Sequence, residues 1–279
     1  MSYKVIVDSC GELTEEMKAS GIFETASLQL QVDQHIITDD ETFDQASFLE
    51  LVSASPECPK SSCPSPESYM SKYECDEERV YIVTLSAELS GSYNSAVLGM
   101  NLYKEEHGEK EIHVFNSCSA SVGETLIAMK IQECEEAGMT FQQVIEAVDA
   151  YIASQNTYFV LESLEALRKN GRLTGVKALV ATALNIKPVM GSTPEGTICQ
   201  LGQGRGMKKA LAKMIDQVAH NAKNAEQKIL AISHCNCPKR AEEVRNMLLD
   251  RLPVKDSFVV DTRGVSSLYA SDGGIIVVV

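Results

Sequence analysis

The chain has 279 residues, which is comfortable for two domains, and its 44% of hydrophobic residues can fill a sizeable core. The net charge of −14 argues against nucleic acid, whose phosphates need a basic face, and against standing association with anionic membranes. No apolar run approaches the roughly 18 residues that suggest a membrane span, so stable membrane insertion is not expected.

The start, Met1-Ser2-Tyr3-Lys4-Val5, enters a strand-like run without the parts of a signal peptide, which predicts a cytoplasmic protein. Nine scattered cysteines, an odd number, read as free thiols of a reducing compartment. Short apolar runs at Tyr3–Val7, Val80–Leu85 and Ile112–Phe115 predict strands. Helical periodicity follows at Tyr93–Tyr103, Gly123–Ala137 and Phe141–Ala153. Apolar strands alternating with amphipathic helices predict a parallel, helix-covered sheet. Asp39–Asp44 is acidic and Ser53–Ser65 is dense in Ser, Pro and Cys; both read as irregular.

A domain boundary is expected near residue 155, giving units 1–155 and 156–279. The second unit has strand patterns at Tyr158–Leu161, Lys228–Ile232, Ser257–Val260 and Gly274–Val279, and helices at Glu162–Lys169, Val176–Leu184, Met207–Ala222 and Lys239–Asp250. Lys187–Met190 and Thr197–Leu201 flank Ser192-Thr193-Pro194-Glu195-Gly196, a hairpin signal that adds antiparallel strands. The predicted class is α/β, with a three-layer parallel-sheet domain followed by an α/β domain containing antiparallel strands.

Hydroxyl residues collect after the first-domain strands: Ser9, then Ser86, Ser90 and Ser92, then Ser117, Ser119 and Ser121. Ligands of open parallel sheets sit beyond such strand ends, where helix N-termini favour an anion. Leu89-Ser90-Gly91-Ser92-Tyr93 fits best, although serine before a helix often does no more than cap it. Ser65-Pro66 reads as an N-cap and first helical position, which leaves Ser61 and Ser62 on an extended loop, free to point at a ligand. There is no G-x-S-x-G elbow, phosphate loop or H-E-x-x-H, and the five histidines are isolated in sequence. Cys235-Asn236-Cys237 lacks a second pair at zinc-site spacing, so neither a metal nor a cofactor is expected. An uncharged, hydroxyl-rich site suits a carboxylate or phosphate that is positioned and not attacked.

Several segments together resemble the DegV family of bacterial lipid-binding proteins. They are Val7-Asp8-Ser9, Ser61-Ser62-Cys63-Pro64-Ser65, Leu89-Ser90-Gly91-Ser92-Tyr93-Asn94-Ser95-Ala96, Leu164 to Leu173, and Ile186-Lys187-Pro188-Val189 with Gly196. The Leu89–Ala96 and Leu167–Arg172 stretches are the specific ones. The resemblance implies two α/β domains with one long-chain fatty acid between them. It implies that Ser61, Ser90 and Gly91 bind the carboxylate, with Ser62 and Tyr269 as further contacts. It also implies a separate fatty acid kinase as partner, to which the binding protein presents its ligand while performing no chemistry itself. Tyr269 falls where many members carry a histidine, so a hydroxyl donor remains but the charge control of a histidine is lost. The basic residues Arg168, Lys169, Arg172 and Arg205 stand out in an acidic chain, and Arg172 and Arg205 are the candidates to face the kinase; the last turn of a helix also explains Arg168 and Lys169. Two rival readings stay open: an acyl- or phosphoryl-transfer enzyme, and a binder of another amphiphilic acid.

Overall fold

The structure, a computed structural model, describes residues 2–173 and 185–279; the helix expected over Val176–Leu184 lies outside them. The first part of the chain forms β1 (Tyr3–Asp8), α1 (Glu15–Ala19), β2 (Phe23–Ala26), β3 (Gln29–Val32), β4 (His35–Thr38), α2 (Gln45–Ala54), β5 (Lys60–Ser62), α3 (Pro66–Tyr73), β6 (Arg79–Thr84), α4 (Ser92–His107), β7 (Glu111–Asn116), α5 (Val122–Glu136) and α6 (Phe141–Ser154). It continues through β8 (Thr157–Val160), α7 (Glu165–Lys169), β9 (Ile186–Ser192), β10 (Ile198–Arg205), α8 (Met207–Asn221), β11 (Ile229–His234), α9 (Pro238–Leu249), β12 (Asp256–Asp261), α10 (Gly264–Ala270) and β13 (Ile275–Val278).

The first sheet has the order β2-β1-β6-β7, and all its pairs are parallel. Its strands are apolar run after run because both faces are covered. Side chains alternate across it with period two. Ile6, Val80 and Ile82 meet Tyr69, Tyr73 and Ala96 of α3 and α4 on one face. Val5, Val7, Tyr81 and Val83 meet Ile127, Ile131, Val144 and Val148 of α5 and α6 on the other. This is the expected three-layer arrangement. The chain goes from β1 outward to β2 and returns to β6 on the opposite side, so the strand order reverses between β1 and β6. That is the crevice where open parallel sheets bind ligands.

The second large sheet has the order β10-β9-β8-β13-β11-β12 and is mixed; only β11 and β12 run parallel. Val160, Val189, Leu230, Ile232 and Val277 face α8 and α9. The other face carries Phe159, Leu161, Met190 and Ile276, and it turns toward α10 and, through Ala231 and Val278, toward α5. The expected helices α6, α8 and α9 and the β9–β10 hairpin appear within a residue or a few of their predicted ends. Cys235 and Cys237 pack into different apolar clusters, which accounts for both without a metal.

One sequence reading needs correction. The Ser53–Ser65 stretch is not irregular throughout: it contains the end of α2 and β5, which pairs with β3 in a small antiparallel sheet of order β4-β3-β5. The acidic Asp39–Asp44 stretch is irregular, as expected, and two of its carboxylates anchor neighbouring helices. Asp44 caps α2 by accepting the Ser47 N–H at 2.8 Å. Asp39, fully buried, accepts the N–H groups of Gly264 and Val265 at 2.8 Å each and so fixes the start of α10.

Candidate functional site

A pocket lies where the loops after β1, β6 and β7 meet the uncovered face of the mixed sheet. Leu28, Leu85, Leu161, Leu167, Phe159, Val265, Ile198 and Ile276 give it apolar walls. The space between its lining atoms, open mouth included, is about 830 Å³. Arg172 is the only charged side chain that lines it among the described residues.

One side of the pocket gathers four polar side chains from distant parts of the chain. Ser61 sits on β5, not on a free loop, and its hydroxyl lies 3.0 Å from the Tyr269 hydroxyl on α10. Two hydroxyls joined by one hydrogen bond retain one O–H between them for a third group. Arg172 places its guanidinium carbon 5.8 Å from the centre of the Tyr269 ring, and its Nε donates to the Leu89 carbonyl at 3.0 Å. Asn170 donates to the Pro59 carbonyl at 2.9 Å, so the 170–172 segment ties β5 to the Leu89–Ser90 loop. Ser90 accepts the N–H of Ser92 at 3.2 Å, which caps the start of α4. Because that bond uses an oxygen lone pair, the Ser90 O–H stays available as a donor; capping and ligand contact are compatible.

The other sequence candidates are placed differently. Ser62 alternates with Ser61 to the opposite face of β5 and is exposed, as strand geometry requires. Gly91 is the N-cap of α4 and does not line the pocket; a Cβ there would lie 3.3 Å from the Cys63 sulfur. Arg172, expected to face a partner, instead lines the pocket. Arg205 is exposed at the end of β10, seven residues along the strand from Ile198, or about 20 Å at strand rise. Lys169 is engaged locally with Glu165 at 2.8 Å.

Burial raises the Tyr269 hydroxyl above the usual tyrosine value, against the opposing pull of Ser61 and Arg172. It is therefore a neutral donor at neutral pH. Sequence reasoning missed the groups behind this constellation: Asp39, which anchors the helix that carries Tyr269, and the buried acids Asp8, Glu12 and Glu124. Glu12 accepts the Ser121 hydroxyl at 2.7 Å, and Ser121 lines the pocket. Burial raises Glu12 from the ordinary 4.5 to about 7, opposed by hydrogen bonds from Ser266 and Ser121. A carboxyl whose folded pKa exceeds its unfolded value binds its proton more tightly in the native state. The stability it contributes is complete below about 4.5 and is lost as the pH rises through about 7. The melting temperature of the lipid-free protein should fall across that window, and Glu12→Gln should fall less; an unchanged slope would assign the decline to other groups.

The fold and pocket define a class: helix-covered α/β sheets enclosing an apolar, largely uncharged pocket with one cation and several hydroxyls on one side. Comparison with known proteins gives the family. The DegV family model matches residues 2–279, and the chain belongs to the DegV family. A DegV domain-containing protein of Streptococcus pneumoniae is 32% identical over 279 residues, covering 99% of this chain and 98% of the relative. A DegV family protein of Ruminococcus gnavus, solved with vaccenic acid, is 65% identical with a TM-score of 0.98, covering 100% of both chains. The fatty acid kinase B3 protein of S. pneumoniae, solved with linoleic acid, is 30% identical with a TM-score of 0.88, covering 100% of this chain and 99% of that one.

Proposed function

We propose that this protein binds one long-chain fatty acid between units 1–155 and 156–279 and presents it to a separate fatty acid kinase. The observation that carries the reading is the pocket's charge pattern: in a chain of net charge −14, the only charged lining side chain among the described residues is Arg172. Apolar walls favour an acyl chain by about 0.8 kcal/mol per CH₂. Ser61, Tyr269, Ser90 and Arg172 offer donors to its carboxylate, offsetting the desolvation of that charge. The acids bound to the R. gnavus and S. pneumoniae relatives support the same ligand class here, and the latter's name supports the kinase as partner.

Among the described residues the lining contains no histidine, lysine or carboxylate to act as a general base beside its serines and cysteines, which favours a carrier over an acyl-transfer enzyme. Arg205, exposed and away from the pocket, remains the candidate for partner contact. All nine cysteines are free, which fits a reducing cytoplasm. No helix of the described residues is long and apolar enough to cross a membrane.

Organic extraction of protein purified from bacteria, followed by mass spectrometry, should give a near-stoichiometric fatty acid; a different amphiphile, or none, overturns the assignment. Ser90→Ala should weaken fatty-acid binding on the order of tenfold, since a hydrogen bond to a charged group contributes roughly 1.5–3 kcal/mol. Adding Ser61→Ala should weaken it further but less than additively, because both act on one head group. If affinity falls only in step with melting temperature, the serines act as structural groups alone.

A further inference from the structure

Three carboxyl groups lie under the pocket floor, and none of them lines the pocket. Asp8 at the end of β1, Glu12 in the following turn and Glu124 in the first turn of α5 are all buried. Asp8 is well satisfied. Its Oδ1 accepts the Cys10 N–H at 3.1 Å, and its Oδ2 accepts the Leu85 N–H at 3.0 Å and the Ser92 hydroxyl at 2.7 Å. Glu124 is not: both its carboxyl oxygens are buried without a well-formed hydrogen bond among the described residues, the weak Cys10 thiol being the donor nearest them. Its carboxyl lies beside that of Asp8. Gly11 permits this approach, since a Cβ there would lie 3.0 Å from the Glu124 Cβ and 2.6 Å from Val7.

Ionised carboxylates are acceptors only, so two of them in contact are joined by a proton or not at all. Without water or a cation, two adjacent negative charges are strongly disfavoured. Arg263, whose backbone reaches Glu12, directs its guanidinium toward Asp39 and the Asp40 carbonyl. The other titratable groups that face the pair are the Cys10 thiol and Glu12 from the turn after β1, and Tyr69 from α3, with Tyr73 behind it and Asp39 beyond Glu12. These neighbours, drawn from the described residues, are all acids, and none of them supplies positive charge.

We propose that Glu124 is held un-ionised and donates its proton to Asp8, and that this shared proton positions the loop that carries Ser90. The inference rests on the head-group reading of Ser90. Asp8 holds both ends of that loop, Leu85 through its N–H and Ser92 through its hydroxyl, and the Ser92 N–H in turn donates to Ser90. Asp8 and Glu124 are positioning residues; neither lines the pocket. Burial and the neighbouring Asp8 both raise Glu124 well above the usual carboxyl range, the direction that keeps the proton on. Its loss puts a second negative charge beside Asp8 and loosens Leu85 and Ser90 together.

The test joins infrared spectroscopy to fatty-acid titration. In a Glu12→Gln background, which removes the other buried carboxyl that keeps part of its protons near pH 7, the protein at neutral pH should show the carbonyl stretch of a buried un-ionised carboxylic acid, which Glu124→Gln removes and Asp39→Asn leaves. Fatty-acid affinity of the wild type should fall as the pH is raised into the alkaline range. Glu124→Gln, whose amide donates to Asp8 at every pH, should bind as the wild type does at neutral pH and show no alkaline loss. Glu124→Ala, without a donor, should bind on the order of tenfold more weakly at neutral pH. A band that survives Glu124→Gln, or the same alkaline decline in that variant, overturns the proposal. So does wild-type affinity in Glu124→Ala. If Glu124→Ala does not fold, the Gln variant and the infrared band decide alone. A wild type that binds no fatty acid overturns the pocket reading instead, while the band still reports the proton.

Discussion

Arg172→Gln should weaken binding of a long-chain fatty acid by about ten- to a hundredfold, the range expected when a carboxylate in a largely apolar pocket loses a charge-assisted donor. The same substitution should leave binding of the fatty alcohol of equal chain length nearly unchanged, because an alcohol brings no charge to neutralise. This pair of ligands separates two roles that the structure gives Arg172. As a head-group cation it acts on the acid alone. As a strut, donating to the Leu89 carbonyl, it shapes the pocket for both ligands. Equal losses for acid and alcohol would assign the residue to the strut. Arg172→Lys should recover only part of the affinity, since a point charge replaces the fork and the contact with the Tyr269 ring is weakened.

Gly196→Ala should lower the melting temperature and speed fatty-acid exchange. Gly196 lies in the turn between β9 and β10 with φ of +89°, a conformation that strains any residue with a Cβ. The added carbon would fall 2.3 Å from the Ser86 oxygen and 2.8 Å from the Cys118 Cα, and the backbone atom of that pair has no rotamer by which to yield. Strain and overpacking cost about 1–3 kcal/mol each. At roughly 2–4 °C per kcal/mol for a chain of this size, a fall of several degrees is expected. The Ser86 hydroxyl donates to the Gly196 carbonyl at 2.8 Å, pinning this turn to the first sheet's loops, and Ser86→Ala should act in the same direction but more mildly. Displacement of a fluorescent fatty acid reads the exchange. A lower melting temperature with unchanged exchange would confine the turn to a role in stability.

The large elements were legible because their periods were clean. Val5–Val7 and Val80–Val83 are apolar on both faces, as only a covered parallel strand requires, and α6 begins with a capping box of Thr140 and Gln143. The small sheet was harder to see. Gln29-Leu30-Gln31-Val32 alternates as a half-buried strand should, and Asp33 with φ of +51° turns the chain into β4, but four-residue strands give a weak signal. Missing that sheet turned Ser61 into a loop residue. The hydroxyls of the site could be picked out by strand-end position and by motif. The roles of Asp39 and Arg172 could not, because each depends on a contact with a distant segment: Asp39 with Gly264, Arg172 with Leu89. Charge alone suggested a partner-facing role for Arg172, and the contact with Leu89 sets it on the pocket wall.

The site is also a product of very long loop closures. Asp39 meets Gly264 across 225 positions, and Ser61 meets Tyr269 across 208. Strand β13 lies between β8 and β11, so the mixed sheet is completed only when Ile275–Val278 is inserted into its middle. Contacts of such separation form late, since chain entropy is lost before they stabilise anything. The first sheet, with its local β–α–β crossovers, can therefore assemble while the ligand cradle is still open. On the proposed reading, capture of an acyl chain is expected at the end of folding, and a bound acid should slow unfolding by holding the last-formed contacts together.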